Sequence, residues 1–200
     1  KRAAGSRKGK YVALDIGPCG RVLEPVGDMP FEEAVEVFAE TVKAGDEAGA
    51  DLILLETFTD LYELKAAVIA AKENSGLPIF ATMSFEENGT SFFGATVESM
   101  VLTLQALGAD ALGVNCSLGP RQLVPIVERL LLSSSIPVMV QPNAGLPIFE
   151  NGEARYDVTT EEFADHIKKF AEDGALIVGG CCGTDPDYMR LVKERLKGVT

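Results

Sequence analysis

The sequence predicts an α/β fold in which strand-helix units repeat along a parallel sheet, and three observations carry that prediction. Short β-rich apolar runs alternate with longer stretches of helical spacing. The short runs are almost uniformly apolar, as strands covered on both faces must be. Their recurrence at roughly 30 residues per unit suits a (β/α)8 barrel or an open doubly wound sheet.

Six strands are expected, at residues 11–16, 51–56, 78–84, 111–115, 137–141 and 176–180. Three of them start alike, with Gly-Ala-Asp at 49–51, Gly-Ala-Asp at 108–110 and Asp-Gly-Ala at 173–175, where the glycine can end the preceding helix. The strands between them open on Leu-Pro at 77–78 and Ile-Pro at 136–137, placing proline where no ladder donor is lost. Helices are expected over 31–48, 61–72, 97–107, 120–132, 160–172 and 186–196. A closed barrel of this class has eight strands, so six leaves the count two short. Residues 1–10 lack an initiating methionine and read like the frayed end of a helix followed by a loop. The expectation is a (β/α)8 TIM barrel truncated to its last six units, with open edges on its two outer strands.

Composition sets the function class. The chain has 200 residues, 46% of them apolar, and no compositional break, which predicts one domain over 1–200. Its net charge is −12, and its one basic run, at 1–10, has no interleaved aromatic residues, which excludes a nucleic-acid surface. No apolar run nears the roughly 20 residues needed to span a bilayer, and the start lacks signal-peptide order, so a cytoplasmic enzyme is expected.

Four cysteines are too few for a disulfide scaffold, and Cys181 and Cys182 are adjacent. Neighbouring alpha carbons, about 3.8 Å apart, are too close for an unstrained bridge. Buried small side chains, reactive thiols and metal ligands remain as readings. Position favours ligands: Cys116 follows the fourth strand, Cys181 and Cys182 follow the sixth, and in a parallel barrel these carboxyl ends share the substrate face. Adjacent strand residues point to opposite faces, so the pair can converge only if the backbone turns, which Gly179, Gly180 and Gly183 permit. Three thiolates leave one corner of a tetrahedral zinc site open, the pattern of a catalytic centre. They also neutralise the ion, favouring alkylation of a bound thiol over hydrolysis. Cys19 has no matching partner and reads as a bystander. His166, beside Phe163, Ile167 and Phe170 on a helix face, is not expected to be a ligand. The glycines at 179–183 could instead cradle a phosphate, a reading that lacks a nearby basic residue.

The segments Gly-Val-Asn-Cys-Ser-Leu-Gly-Pro at 113–120 and Gly-Gly-Cys-Cys-Gly-Thr at 179–184 resemble the two zinc motifs of the homocysteine S-methyltransferases. The resemblance runs from about residue 11 to the end of the chain and implies an eight-stranded α/β barrel. Asp-Ile-Gly-Pro-Cys-Gly at 15–20, Gln-Pro-Asn-Ala-Gly-Leu-Pro at 141–147 and Glu-Asn-Gly at 150–152 are similar to the cobalamin-dependent methionine synthase branch rather than to the betaine or S-methylmethionine branches. The resemblance implies zinc on Cys116, Cys181 and Cys182, homocysteine sulfur at the fourth position, and methyl transfer from methylcobalamin to give methionine. It also implies folate-binding and cobalamin-binding modules as partners, because no Asp-x-His-x-x-Gly segment occurs in this chain. The family's Asp-Gly strand end, which helps hold the amino acid part of the substrate, is absent as well. A noncatalytic zinc-binding fragment that docks with other modules is the alternative. Glu56 in Leu-Leu-Glu-Thr-Phe resembles the glutamate that receives the substrate ammonium, the other reading being a helix-start carboxylate. Asp15 is expected to share that task or to bond the adjoining turn. Asn143 is expected to offer its oxygen to the open zinc position when substrate is absent, or to serve as a turn residue.

Overall fold

The computed structural model describes residues 5, 9–150 and 153–199, so most of the frayed end expected at 1–10, and residues 151–152 of the Glu-Asn-Gly segment, lie outside the described residues. The elements run β1 (Ala13–Ile16), α1 (Phe31–Glu47), β2 (Leu52–Phe58), α2 (Leu61–Asn74), β3 (Ile79–Met83), α3 (Val97–Ala106) and β4 (Ala111–Asn115). They continue α4 (Pro120–Ser133), β5 (Val138–Gln141), β6 (Pro147–Glu150), β7 (Glu153–Tyr156), α5 (Thr160–Glu172), β8 (Ile177–Val178) and α6 (Pro186–Arg195).

The sheet is parallel throughout, in the order β1-β2-β3-β4-β5-β8. A doubly wound sheet reverses its strand order at a switch point and carries helices on both faces. Here spatial order follows chain order and each helix packs against the next, so α1 to α6 form one layer of barrel type. The core lies between that layer and the sheet, where Phe38, Phe58, Leu64, Met83, Leu104 and Phe163 are buried. No helix among the described residues is long and apolar enough to cross a membrane.

The recurrent strand starts have a physical job. Asp51 donates its backbone N–H to Val12 O at 2.8 Å and accepts Val12 N–H on its carboxylate at 2.7 Å. Asp110 repeats both bonds with Ile79, each at 2.8 Å, so each aspartate pins the start of the neighbouring strand. The prolines supply acceptors only: Pro78 O takes Ile53 N–H and Pro137 O takes Leu112 N–H. Helix starts are capped by Asp60, Thr96, Thr159 and Asp185, and Pro120 and Pro186 sit in first turns.

Two strands depart from expectation at their functional ends. The second, expected to stop at 56, extends to Phe58 through a register shift between Leu55 and Phe58. The last, expected over 176–180, keeps only Ile177 and Val178: Cys181 N–H goes to Pro142 O, 2.8 Å away, and the chain turns at Cys182 and Gly183. An unexpected antiparallel hairpin, β6-β7, sits between β5 and α5. Its sequence signal is the Asn-Gly pair at 151–152.

β4 and β5 approach so closely that a Cβ at Gly113 would lie 1.8 Å from Met139 O. Gly113→Ala must therefore push two central strands apart, and is expected to cost about 3 kcal/mol or more, or to prevent folding. Urea unfolding checks this; a variant within about 0.5 kcal/mol of the unaltered chain would contradict it.

Candidate metal centre

The strand ends meet over a short segment that follows β5. Gln141 O accepts Cys116 N–H at 3.1 Å on one side, and Pro142 O accepts Cys181 N–H at 2.8 Å on the other. Asn143 donates its N–H to Leu118 O at 3.0 Å, and its Oδ1 accepts Cys182 N–H at 3.1 Å. Ala144 N–H then bonds Cys182 O at 2.9 Å. Residues 141–144 thus stitch the loop after β4 to the loop after β8, although Cys116 and Cys182 are 66 positions apart.

This stitching brings the sulfurs of Cys116, Cys181 and Cys182 within 4.8 Å of one another. Cys116 Sγ lies 3.7 Å from Cys182 Sγ, and the adjacent Cys181 and Cys182 sulfurs are 4.0 Å apart. Zinc with three sulfurs at about 2.3 Å in a tetrahedron requires sulfur separations of about 3.8 Å. The donor set and its spacing therefore fit zinc. All four cysteines are unpaired, and no other cluster of three metal-binding side chains occurs among the described residues.

The local backbone explains the convergence. Cys116 and Ser117 hold φ of 62° and 58°, a left-handed turn that bends the chain off β4. Gly183, at φ 79°, faces the Tyr156 ring so closely that a Cβ there would stand 2.3 Å from it. Thr184 Oγ1 donates to Cys181 O at 2.7 Å and closes the turn. The three sulfurs lie within hydrogen-bonding reach of one another. Hydrogen bonding from Cys181, stronger than the opposing desolvation, brings the Cys116 pKa down to about 5. The same bond holds the Cys181 thiol protonated, and burial first, then Cys116, raises Cys182.

Glu56 lies on β2 and Asp15 on β1, at the same carboxyl-end face. Burial raises the Glu56 pKa, and the charges of Asp15 and Cys116 raise it further. Desolvation raises Asp15 as well, although its position on an edge strand leaves it exposed. Burial thus favours the protonated form of both acids, and a cation placed beside Glu56 would favour its carboxylate.

The other expected residues fall as follows. Asn143 is buried beside the sulfur cluster, and its Oδ1 accepts the Cys182 N–H. Cys19 stands apart from the cluster, with its Sγ 3.6 Å from Met29 Sδ and its N–H on Glu63 at 2.7 Å. His166 packs beside Phe170 on α5, 3.9 Å from Glu162. Of the amides at 179–183 that could cradle a phosphate, those of Gly179, Cys181 and Cys182 are taken by Val140 O, Pro142 O and Asn143 Oδ1. Sequence reasoning missed the buried polar residues Asn115, Thr82 and Ser84 behind the cysteines. Their signal was a polar side chain at the end of an otherwise apolar strand.

With this geometry in view, the chain matches the family described as homocysteine S-methyltransferase over residues 1–196. The chain belongs to that family. It is 35% identical over 196 residues to methionine synthase of Mycobacterium tuberculosis and 34% identical over 189 residues to that of Mycobacterium leprae. These alignments cover 95% and 92% of the chain but only 16% of each relative, so the chain spans about one sixth of their length. The apo form of the Escherichia coli homocysteine methyltransferase MmuM shares the fold of this homocysteine S-methyltransferase chain. Its TM-score is 0.75 at 22% identity, over 92% of this chain and 62% of that one. The metallated form of the same protein gives a TM-score of 0.67 at 24% identity, over 80% and 52%.

The hydrogen bonding within the sulfur cluster predicts selective reactivity. In reduced, chelator-treated protein at pH 6, iodoacetamide is expected to label Cys116 well ahead of the other three cysteines, as mapped by mass spectrometry. Equal labelling of Cys116 and Cys182 would contradict the assignment of the thiolate.

Proposed function

We propose that this chain is the homocysteine-binding, zinc-carrying domain of a cobalamin-dependent methionine synthase, and that it methylates homocysteine sulfur to give methionine. The observation that carries the reading is the convergence of three sulfurs within 4.8 Å, on the strand-end face that also bears Glu56. Cys116, Cys181 and Cys182 would hold the zinc, which when bound deprotonates and positions a substrate thiol at its fourth corner.

The chain's own residues do the rest. Glu56 receives the substrate ammonium through a charge-assisted hydrogen bond, and Asp15 adds a second negative charge beside it. Asn143 fixes the Cys182 amide, and with it the turn that presents the sulfurs. Homocysteine loses its thiol proton, its sulfur forms the new bond to the methyl carbon, and the old bond breaks with its electron pair left on the donor. Similarity at 15–20 and 141–152 to the cobalamin-dependent branch, and relatives named methionine synthase, support methylcobalamin as that donor. Methylcobalamin, and the methyltetrahydrofolate that recharges it, would be carried by other modules of a longer protein. Unpaired cysteines at the site support a reducing, cytoplasmic setting.

Purified under reducing conditions, the chain is expected to carry about one zinc per molecule and to release about one proton on binding homocysteine at pH 7. Zinc without proton release would leave a docking fragment; activity with betaine or S-methylmethionine would reassign the donor. Glu56→Gln is expected to weaken homocysteine binding about tenfold or more with zinc content unchanged, the scale of one hydrogen bond to a charged group.

The same residue links binding and stability to pH. Glu56 has its pKa raised in the folded chain, so its contribution to stability is full below the unfolded value and is lost as pH rises through the folded one. Homocysteine affinity should climb over that same window, as the carboxylate ionises. Glu56→Gln should therefore raise the melting temperature at pH 7 and change it little near pH 4; a fall at pH 7 would contradict the assignment.

A further inference from the structure

Asn115 closes β4 immediately before Cys116, and its side chain is fully buried. Its carboxamide uses every hydrogen-bonding position it has. Oδ1 accepts Thr57 N–H at 2.8 Å and the Thr82 hydroxyl at 2.7 Å. Nδ2 donates to Thr57 Oγ1 at 2.7 Å and to Cys181 Sγ at 3.9 Å. Thr57 N–H can only donate, which fixes the oxygen toward β2 and leaves the amino group to face the sulfur. An N–H aimed at sulfur suits an ionised ligand better than a thiol.

The other end of this clamp is strained. Thr57 holds φ of 65°, a conformation that β-branched residues rarely adopt and that costs about 1–3 kcal/mol. It lies, with Glu56, inside the register shift of β2 between Leu55 and Phe58. Such a bulge re-aims side chains near functional sites. The carboxamide grips Thr57 by both its backbone and its hydroxyl, so the strained turn beside Glu56 is held from β4, the strand that leads into the sulfur cluster.

We propose that Asn115 is a positioning residue: by clamping Thr57 and donating to Cys181, it fixes the Glu56 carboxylate relative to the three sulfurs and so selects thiols that carry an α-amino group. The inference rests on the reading of Glu56 as the ammonium acceptor. Loss of the clamp leaves three thiolates to bind metal and thiol, but lets Thr57 relax and Glu56 swing out of register with the sulfur.

Cobalt(II) loaded into the 200-residue chain provides the test, because its thiolate charge-transfer band reports the sulfurs and changes when a further thiol binds. Homocysteine is compared with 4-mercaptobutyrate, the same thiol without its amino group. In Asn115→Ala the band is expected to persist, shifted in energy by the lost N–H donor. Homocysteine should bind about tenfold more weakly, and 4-mercaptobutyrate within about threefold of its former affinity. Adding Thr57→Gly, which accepts a left-handed φ without strain, should restore part of the preference. Equal weakening of both thiols, an unchanged preference, or a double variant no better than the single one would overturn the proposal. If Asn115→Ala does not fold, Thr57→Val removes only the side-chain half of the clamp and should show the same selective loss at about threefold. Failure of either thiol to perturb the band of the unaltered chain would instead sink the homocysteine reading, and this inference with it.

Discussion

Everything at the strand ends depends on the segment 141–144, whose backbone groups, together with the Asn143 side-chain oxygen, tie the two cysteine loops to the end of β5 and to each other. Parallel strands bring their carboxyl ends to one face, but β5 separates β4 from β8 in the sheet. The bonds from Cys116 N–H to Gln141 O and from Cys181 N–H to Pro142 O bridge that gap over the end of β5. Fold class alone would leave the sulfurs on a common face; the stitching makes them neighbours.

Strain and buried polarity concentrate where the chemistry is proposed. The non-glycine residues with positive φ among those described are Thr57, Cys116 and Ser117, all at strand ends on this face. Each such residue costs about 1–3 kcal/mol unless its surroundings over-determine it. Two of the three are held in this way: Thr57 is gripped twice by Asn115, and Cys116 is bonded through its amide to β5. The repeated aspartates at the opposite ends of the strands stabilise register without strain. The fold thus separates a regular, well-clamped bottom from a tense functional top, the division of labour expected of a barrel-type sheet.

Much of this was legible in the sequence, for reasons that differ by element. The helices announced themselves by spacing and caps, and Gly-Ala-Asp and Leu-Pro marked strand starts because glycine, aspartate and proline have narrow backbone roles there. The cysteine pair was legible because adjacent thiols flanked by glycines have few structural uses. The bulge in β2 was hidden, since Leu-Leu-Glu-Thr-Phe reads equally well as a regular strand and no propensity signals a left-handed threonine. Asn115 was hidden for a related reason: its significance lies in bonds to residues 33 and 58 positions away. The hairpin escaped the strand-helix pattern because its two strands are four residues each and carry no long apolar run.

The most direct test of the central claim is X-ray absorption at the zinc edge, comparing the reduced chain with and without homocysteine. A change from three sulfur neighbours to four at about 2.3 Å is the expected result. A sulfur count that stays at three, or a first spectrum with fewer than three sulfurs, would contradict a metal centre built by Cys116, Cys181 and Cys182 to receive a thiol.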